Sequence, residues 1–512
     1  MTSRRDALPG PQEERASHEV QEGKPRDRSF PALQSRSMRN AIFLCVCLGY
    51  LPQGIRGETC ADSIISFTVS STADARNLSQ AMQFNCSGTQ NFVVEWVGNV
   101  TIEESLHVLS GDTLSITGID RSTSVIDGGL EVQLFNLSYN STLALEAVTL
   151  MRGIGSQGGA AHTVEECHMN AINCTFVENF ATEEGGAVHA KGSTLTFSGF
   201  TDFSQNSAQD GSGGAILAVG SSISADGVLF FLSNSATRHG GAMKCTDGIF
   251  NMTGKAFVAD NSATSGGAWD IGHSELAIGG DLDLFSNTAE EYGGALDVMD
   301  STVAVEGTVN CDLNQAGEHG GAFYIWRGSI FTLDGQLTLR WNNAGIDLFD
   351  RGGGIAVERS RLVIDGLVKF SDNQADEGGG LSAYEANVTI QGASVFENNT
   401  ATSRGGGLFA HGAVVDLEGE VSFRRNTAQD TGGALHAEDD SVVTINGQTD
   451  AEFLGNSAGT SGDDVYTSDS TVVMNDEVYG ETSGGHGLLA DVHIVVTSFL
   501  CFLLVLPPSS SS

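Results

Sequence analysis

Carboxylates recur beside glycine pairs in the second half of the chain, and Ca²⁺ is the metal ion that such side chains would bind. Ca²⁺ prefers several oxygen ligands, most often from Asp and Glu. The side chains concerned are Glu290, Glu291, Glu318, Asp350, Asp376 and Glu377. Because they come from successive repeats, they could form an acidic line and a weak Ca²⁺ site. The alternative is a solvated acidic corner that binds nothing.

Two histidines also precede glycine pairs, but their spacing argues against a shared metal. His239 and His319 lie three repeats apart, which is about 14 Å at a strand spacing of about 4.8 Å and exceeds the reach of one metal ion. The body of the chain contains no phosphate-binding loop, no paired-histidine zinc helix and no close cysteine pair. We therefore predict no catalytic centre and no cofactor, and no interruption of the repeats at which a cleft would form.

An internal repeat determines the elements that must position these side chains. The segment FRRNTAQDTGGALHA, which starts at Phe423, recurs with small changes from Phe176, Phe203, Phe231 and Phe396. A fixed repeat of this size is typical of a solenoid. One Asn marks each unit, at steps of 26 to 30 residues, and these residues are Asn179, Asn206, Asn234, Asn261, Asn287, Asn314, Asn343, Asn373, Asn399, Asn426 and Asn456.

Each unit contains three short β-like segments: one after the glycines, one ending near a further Gly, and one leading into the Asn. This pattern predicts an all-β fold, a right-handed single-stranded parallel β-helix of three-strand coils with about 27 residues per coil. The marker asparagines would stack into an amide ladder, and the glycine pair would permit close backbone approach. The absence of proline from Gln53 to Leu506 agrees, because proline is excluded from central strands.

The predicted β-helix covers residues 91–478 and is regular from about residue 167. Residues 99–150 lack the motif but keep alternating strands and glycine-containing turns, which is typical of less regular first coils. Residues 60–90 are predicted to form an N-terminal cap. Within them, residues 71–83 have the apolar spacing of a short helix. Such a cap would protect the exposed edge of the first coil.

The two ends of the chain predict export and attachment to a membrane. Residues 1–37 form a polar leader that we expect to be disordered, and residues 38–57 are interpreted as a secretory signal peptide, with Met38 as a candidate natural start. After a linker at 479–493, the apolar tail 494–506 is either a glycolipid-anchor signal or a short membrane span. We therefore expect the secretory pathway, and then the cell surface or the extracellular space.

Sequons and cysteines are compatible with export. Nine N-x-[ST] sequons predict glycosylation, at Asn77, Asn85, Asn99, Asn136, Asn140, Asn173, Asn251, Asn387 and Asn398. In an oxidising compartment Cys60 with Cys86, and Cys167 with Cys174, are candidate disulfide pairs. The remaining body cysteines, Cys245 and Cys311, lie several repeats apart and are better interpreted as buried thiols.

The charge of the chain excludes one class of partner. The formal net charge is -39, whereas nucleic acid and anionic lipid both need a basic protein surface. The direct interpretation is a solvated acidic exterior that limits self-association; the alternative is the binding of cations or polycations. We expect no nucleic-acid partner, and membrane contact only through the C-terminal tail.

The repeat resembles that of the bacterial polymorphic outer-membrane proteins, which are surface adhesins of the autotransporter type. Phe203 and Asn206 followed by Gly213-Gly214-Ala215-Ile216, and Phe423 and Asn426 followed by Gly432-Gly433-Ala434-Leu435, carry the likeness. The resemblance covers roughly residues 167–465 and implies a passenger-like β-helix with the pectin-lyase-like fold. Those proteins carry a long C-terminal β-barrel, whereas a linker and an apolar tail follow the last unit here, so autotransport is in doubt and a different anchor is implied.

These features predict a cell-surface or secreted β-helix glycoprotein without catalysis, adhesin-like or structural, that binds a surface protein or a polysaccharide. The alternative is a polysaccharide-binding or polysaccharide-modifying protein of the lyase or epimerase kind, because β-helices also host such enzymes. A cluster of carboxylate and basic side chains across three neighbouring coils would favour the alternative. An unbroken polar flank would favour the first interpretation.

Overall fold

The computed structural model describes residues 64–83, 88–447, 451–475 and 477–479. The predicted leader, signal peptide and apolar tail lie outside the described residues, as do Asn85, Cys60 and Cys86. Within the described ranges, no helix is long and apolar enough to cross a bilayer.

The described chain winds as a parallel β-solenoid, which confirms the predicted fold class. A typical turn contains the strands Val188–Lys191, Thr194–Ser198, Phe200–Ser204 and Ser207–Ala208, which belong in this order to sheets 1, 2, 3 and 4. Each strand pairs in parallel with the equivalent strand of the next turn. The fourth strand was not predicted, because a Ser-Ala pair after the marker Asn looks like part of a turn. The right-handed sense of the winding stays a prediction.

The four sheets contain 14, 17, 14 and 12 strands, in the order of sheets 1 to 4, within the described residues. The first and last strands are Ile64–Val69 and Glu477–Tyr479 in sheet 2, Asn99–Thr101 and Glu452–Leu454 in sheet 3, and Ile154–Gln157 and Ser457–Ala458 in sheet 4. Sheet 1 carries the candidate site. Its strands are Leu106–Val108, Phe135–Leu137, Ala161–Val164, Val188–Lys191, Ile216–Val219, Met243–Thr246, Trp269–Gly272, Leu296–Met299, Phe323–Trp326, Ile355–Glu358, Leu381–Tyr384, Leu408–His411, Leu435–Glu438 and Val465–Ser468.

The predicted N-terminal helix is confirmed. Helix Thr72–Met82 begins after Ser71, whose side chain accepts a hydrogen bond from the backbone N–H of Asp74, as a helix N-cap does. Strand Ile64–Val69 precedes the helix and pairs in parallel with Asn91–Trp96. Sheet 2 therefore starts before the helix, and the helix packs against the first turns.

The interior is a column of stacked rings beside a column of amides. Phe370, Phe396 and Phe423 stack with ring centroids 4.8 and 4.6 Å apart. In a straight strand, a Phe and an Asn three positions apart would point in opposite directions. Arg425 lies between Phe423 and Asn426 with φ of +53°, and this left-handed residue turns the chain so that both side chains are fully buried.

The marker asparagines bond to one another along the solenoid axis. Asn234 Nδ2 donates to Oδ1 of Asn261 at 3.0 Å and to the carbonyl of Phe203 at 2.9 Å. The backbone N–H of Asn234 donates to the same Oδ1 at 2.9 Å. The pattern continues from Asn179 to Asn456 at spacings of 26 to 31 residues.

One assigned ladder residue is wrong. Asn342, and not Asn343, accepts from Asn314 and donates to Asn373. Spacing alone could not separate two adjacent asparagines. The ladder position must follow the left-handed residue of the corner, which in this turn is Trp341 with φ of +55°.

Replacing Asn342 by Ala should destabilise the protein much more than replacing Asn343. Asn342→Ala leaves the Cys311 carbonyl, the Asn314 amide groups and the Asn373 Oδ1 short of partners, and a buried unpaired polar group costs about 1–3 kcal/mol. We expect a loss of roughly 3 kcal/mol or more, measured by denaturant unfolding followed by circular dichroism. Asn343→Ala is the matched control, and equal losses from the two variants would contradict the ladder assignment.

The second glycine of each pair should not tolerate a side chain. A Cβ on Gly294 would lie 2.1 Å from the carbonyl oxygen of Gly321 in the next turn, whereas a Cβ on Gly272 would meet no atom closer than 3.5 Å. Gly294→Ala should therefore lower the melting temperature sharply, because the backbones of adjacent turns must separate. Gly272→Ala should leave the melting temperature nearly unchanged, and similar melting curves for the two variants would refute the close-approach argument.

Candidate functional site

One face of the solenoid concentrates polar and aromatic side chains outside the core. The second and fourth residues of each sheet 1 strand point outward, and the residue before each glycine pair lies beside them. We call the part of these three columns from His239 to Ser468 the sheet 1 band. The pre-glycine column is His239, Ser265, Tyr292, His319, Arg351, Glu377, Arg404, Thr431 and Ser461. The inner column is Lys244, Asp270, Asp297, Tyr324, Ala356, Ser382, Phe409, His436 and Tyr466, and the outer column is Thr246, Gly272, Met299, Trp326, Glu358, Tyr384, His411, Glu438 and Ser468.

The inner column is covered by its two neighbours. Tyr324 and Phe409 are nearly fully buried, yet neither belongs to the hydrophobic core inside the solenoid. Side chains of the pre-glycine column reach across them to the outer column. The Arg351 guanidinium carbon lies 4.0 Å from the ring centroid of Tyr384, so the band is a packed surface layer and not an open groove.

A pair of buried carboxyls lies at one end of the band. Asp270 Oδ1 is 2.6 Å from Lys244 Nζ, and its Oδ2 is 3.3 Å from His239 Nδ1. Burial opposes ionisation of Asp270, but the contact with His239 and the charge of Lys244 hold its pKa below the ordinary value. Asp297, in the next turn, accepts a hydrogen bond from Trp326 Nε1 at 2.7 Å. Burial, reinforced by the Asp270 carboxylate, raises the pKa of Asp297 to about 8.

The middle of the band is aromatic. Tyr292 and Tyr324 stack with centroids 5.3 Å apart, and Tyr324 and Trp326 with centroids 5.4 Å apart. The His319 ring lies 5.5 Å from Tyr324. Tyr324 donates to Glu358 Oε2 at 2.8 Å. Side chains from all three columns thus form one cluster over adjacent turns.

The far end of the band is a chain of ion pairs. Glu377 contacts Arg351 at 3.3 Å and also contacts Arg404, whose Nη1 lies 2.5 Å from Glu438 Oε2. Glu438 also contacts His411 and His436. Although burial opposes ionisation, hydrogen bonds from the two histidines and the charge of Arg404 lower the pKa of Glu438 to about 2.

Thr431, His436 and Glu438 have the connectivity of a nucleophile relay. Thr431 Oγ1 lies 2.8 Å from His436 Nδ1, and His436 Nε2 lies 3.0 Å from Glu438 Oε2. An acyl-transfer site also needs N–H donors for the oxyanion. The N–H groups of Gly432 and Gly433 donate instead to carbonyls of the next turn, so this relay lacks those donors and is best explained as packing.

Sequence reasoning missed two further features, a hydrolase-like spacing and an inserted loop. Residues 455–459 have the G-x-S-x-G spacing of a hydrolase elbow, but Ser457 lies in a two-residue strand of sheet 4. The turn from Asn342 to Asn373 is the longest of the ladder, at 31 residues, because residues 345–350 insert a loop before Arg351. Leu348 at its tip is 82 % exposed. Among the described residues, this loop interrupts the repeats beside the band, contrary to prediction.

A cavity of about 320 Å³ lies at the corner between sheets 2 and 3, away from the band. It is lined by Ile119, Asp120, Arg121, Ala147, Asn173 and Phe200. The guanidinium carbon of Arg121 lies 3.8 Å from the Phe200 ring centroid. The cavity therefore presents one arginine over an aromatic ring, without a nucleophile beside a base.

The calcium candidates do not converge. Glu377 is held by two arginines, and Asp376 accepts from the backbone of Phe349 at 2.9 Å and from Thr402 at 2.7 Å. Glu290 accepts from Thr264, and Glu318 hydrogen-bonds to Tyr292, while Glu291 is exposed. In the part of the chain that the structure describes, no three His, Cys, Asp or Glu side chains could hold a metal ion. Glu377 lies in the pre-glycine column between Arg351 and Arg404, whereas the other candidates lie one or two positions earlier in their turns, so the six carboxylates do not form one line.

The predicted Cys167–Cys174 disulfide is wrong. Both thiols are free and buried, and Cys167 Sγ donates to the carbonyl of Ser138 at 2.9 Å. The two residues flank the strand His168–Ile172. A strand rises roughly 3.3 Å per residue, which places their Cα atoms beyond disulfide reach. Cys245 and Cys311 are likewise free and buried.

The predicted glycosylation acceptors lie mostly on other faces. Asn77, Asn99, Asn140, Asn173, Asn251 and Asn387 are exposed, and Asn136 and Asn398 are half-buried. Asn251 and Asn387 are on the outward face of sheet 2, and Asn398 is at the corner between sheets 3 and 4. Asn136 is the exception: it lies on the outward face of the sheet 1 strand Phe135–Leu137, several turns before His239, where the sheet 1 band begins.

Asp297→Asn should stabilise the protein at pH 8 and have little effect at pH 4. Between the ordinary carboxyl pKa of 3.8 and the folded value of about 8, the unfolded chain loses a proton that the folded chain keeps, so stability falls as pH rises. Asn cannot ionise and still accepts from Trp326. Because the pKa of Asp270 is lowered, its titration affects stability only at pH values below this window. Melting temperatures at pH 4, 6 and 8 test the point, with exposed Asp300→Asn as control; parallel pH profiles for Asp297→Asn and the parent would contradict it.

Comparisons with known proteins identify the repeat. Residues 173–191 and 393–411 match the family model of the Chlamydia polymorphic membrane protein repeat. Both segments run from a sheet 3 strand through a marker Asn and the glycine corner to the end of a sheet 1 strand. Comparisons with curated proteins and with solved structures give no match. The chain is thus a parallel β-solenoid that carries repeats of the Chlamydia polymorphic membrane protein type.

Proposed function

We propose that this chain is a non-catalytic protein of the cell surface, adhesin-like or structural, that displays a long acidic β-solenoid for binding. The observation that carries the proposal is the sheet 1 band, a continuous layer of polar and aromatic side chains on a rigid scaffold. The repeat family supports a surface location, because its name describes membrane proteins. Attachment through the tail at 494–506 is part of the proposal.

The arrangement of charges supports binding without catalysis. The band contains carboxylate and basic side chains across neighbouring turns, the pattern that would favour a polysaccharide-modifying protein. However, Arg351, Glu377, Arg404 and Glu438 pair with one another. A catalytic acid or base must be within reach of substrate, and paired charges inside a packed layer are already engaged. Polysaccharide binding is therefore the second candidate function, and the aromatic cluster favours it.

Binding without turnover is the expected outcome of a direct assay. The purified chain is incubated with intact cells and with immobilised neutral and acidic polysaccharides, with and without Ca²⁺, and released saccharides are measured in the same wells. We expect retention on at least one surface, no released product and no dependence on Ca²⁺, because the candidate carboxylates are engaged by protein groups.

One result would refute the proposal, and another would decide between its two forms. Release of product would make the protein an enzyme. Absence of retention on every surface would remove the adhesin-like function and leave a structural role. Repeating the assay in high salt separates specific contacts from the general effect of net charge, because exposed charges are screened within about 10 Å at 0.1 M ionic strength.

A further inference from the structure

We infer that the side chains of Lys244 and Asp270 react with each other to form an amide bond that joins two adjacent turns of the solenoid. The Lys244 amine is the nucleophile, the carboxyl carbon of Asp270 is the atom attacked, and Asp297 in the following turn transfers the protons. The reaction takes place once in each chain and releases one water molecule. It goes beyond the proposed function and does not depend on it, because no outside ligand takes part.

The first argument is the contact between the two side chains. Lys244, Asp270 and Asp297 occupy the same inner-column position in three successive turns of sheet 1. Lys244 Nζ lies 2.6 Å from Asp270 Oδ1, so the nitrogen is held against the carboxyl group that it attacks. Groups held in a productive orientation react as if their concentration were roughly 10⁵–10⁸ M. Proximity therefore favours the reaction before any catalytic group is considered.

The second argument is the exclusion of water. Asp270 and Asp297 are buried, the side chain of Lys244 is only 18 % exposed, and the inner column continues beyond Lys244 with the buried Leu217. A buried ion pair has lost the hydration of both charges, whereas an amide is neutral. Burial therefore favours the amide over the ion pair and keeps out the water that would hydrolyse it.

The third argument is an acid beside the reacting pair. Trp326 Nε1 donates to Asp297 Oδ1 at 2.7 Å and fixes this carboxyl. Burial and the Asp270 carboxylate raise the pKa of Asp297 to about 8, against the opposing effects of the Trp326 hydrogen bond and the Lys244 charge. Asp297 therefore keeps its proton at neutral pH. A group that protonates a departing oxygen must itself carry a proton.

The reaction balances without an added reagent. One proton passes from the Lys244 ammonium to the Asp270 carboxylate along their contact, which gives an amine and a carboxylic acid. The amine attacks the carboxyl carbon, and a C–N bond forms while the C=O electron pair moves to oxygen. Asp297 then protonates the hydroxyl of this intermediate, the C–O bond breaks and water leaves. The nitrogen returns a proton to Asp297, so ammonium and carboxylate have become one amide and one water.

Two other lysine pairs of the chain lack this environment. Lys255 contacts Asp281, and Lys369 Nζ lies 3.0 Å from Glu397 Oε2, in each case across one turn at sheet 3. The lysine side chains are 61 % and 41 % exposed. Ions that keep their hydration gain little from forming a neutral amide. These two pairs should stay ionic and are internal controls.

The test is mass spectrometry of the full chain, produced without glycosylation and denatured, reduced and alkylated. We expect an intact mass lower by one water than the mass calculated from the sequence. Trypsin together with a glutamate-specific protease should release residues 239–255 joined to residues 256–275 through Lys244 and Asp270. An unreacted chain is cleaved after Lys244 and gives separate peptides.

Lys244→Arg and Lys255→Arg are the matched variants. Arginine keeps a positive charge beside Asp270, but it is always protonated and cannot act as the nucleophile. Lys244→Arg should therefore lose the cross-link completely, whereas Lys255→Arg should keep it. The melting temperature of Lys244→Arg should also fall below that of the parent, because a covalent link between turns restricts the unfolded chain. Circular dichroism checks that both variants fold.

Asp297→Asn tests the proton transfer. Asn has nearly the same shape as Asp and still accepts from Trp326, but it has no acidic proton, so the cross-linking rate should fall by roughly 10²-fold or more. Asp297→Glu retains an acid and should restore part of the rate, whereas a purely structural role would let Asn replace Asp. Lys244→Arg is also the background in which the pH profiles of Asp297→Asn and its parent compare unreacted chains.

Three results would overturn the inference: no peptide joins Lys244 to Asp270, the loss of water persists in Lys244→Arg, or the exposed lysine pairs cross-link to the same extent. Loss of water without a joined peptide would identify an aspartyl succinimide and would overturn it as well. If Asp297→Asn reacted as fast as the parent, the role given to Asp297 would be wrong. Binding of Lys244→Arg to cells or polysaccharides tests the proposed function separately.

Discussion

The buried asparagine ladder is the interaction on which the rest of the structure depends. Within the ladder, the side-chain oxygen of an Asn accepts hydrogen bonds from the side chain and the backbone N–H of the Asn one turn earlier. The side-chain nitrogen donates to the Asn oxygen of the next turn and to a backbone carbonyl of the previous turn. These bonds are made inside the solenoid, away from water. Because every bond joins adjacent turns, the ladder holds neighbouring turns in alignment from Asn179 to Asn456. A turn that lost its Asn would leave unpaired groups in both neighbours.

The ladder also explains where the variable surface lies. After each Asn, a two-residue strand and a short segment lead to the glycine corner, where the second glycine lies against the next turn's backbone. This close approach leaves no room for a side chain at the corner and brings the residue before the glycines next to sheet 1. The inner column is consequently covered by the corner backbone and by the long side chains of the pre-glycine column. Tyr324, Ala356 and Phe409 can differ in size there because they pack outside the core.

The fold could be predicted because its determinants repeat, and the site could not because its determinants vary. Phe, Asn, Gly and Ala recur at fixed offsets, so their column structure is visible in the chain. The positions of the band follow an equally fixed rule: the residue before the glycine pair, and the fifth and seventh residues after that residue. The residue types at these positions vary along the solenoid, however. Spacing alone also misplaced Asn343 by one residue, because the left-handed corner residue that selects Asn342 has no single residue type. The Cys167–Cys174 pairing failed because a strand separates the two thiols.

The structure separates the residues that hold the fold from those that could recognise a ligand, and this separation has a cost. Pairs such as Arg351 with Glu377 contribute little stability over apolar packing once desolvation is counted, and Asp297 is buried with a raised pKa beside another carboxyl. An apolar column would stabilise the solenoid better. What the charged and aromatic column provides is a set of side chains held in place by contacts between neighbouring turns. A partner that binds this layer would then lose little free energy in ordering the side chains, and each turn could change its contribution without disturbing the ladder beneath it.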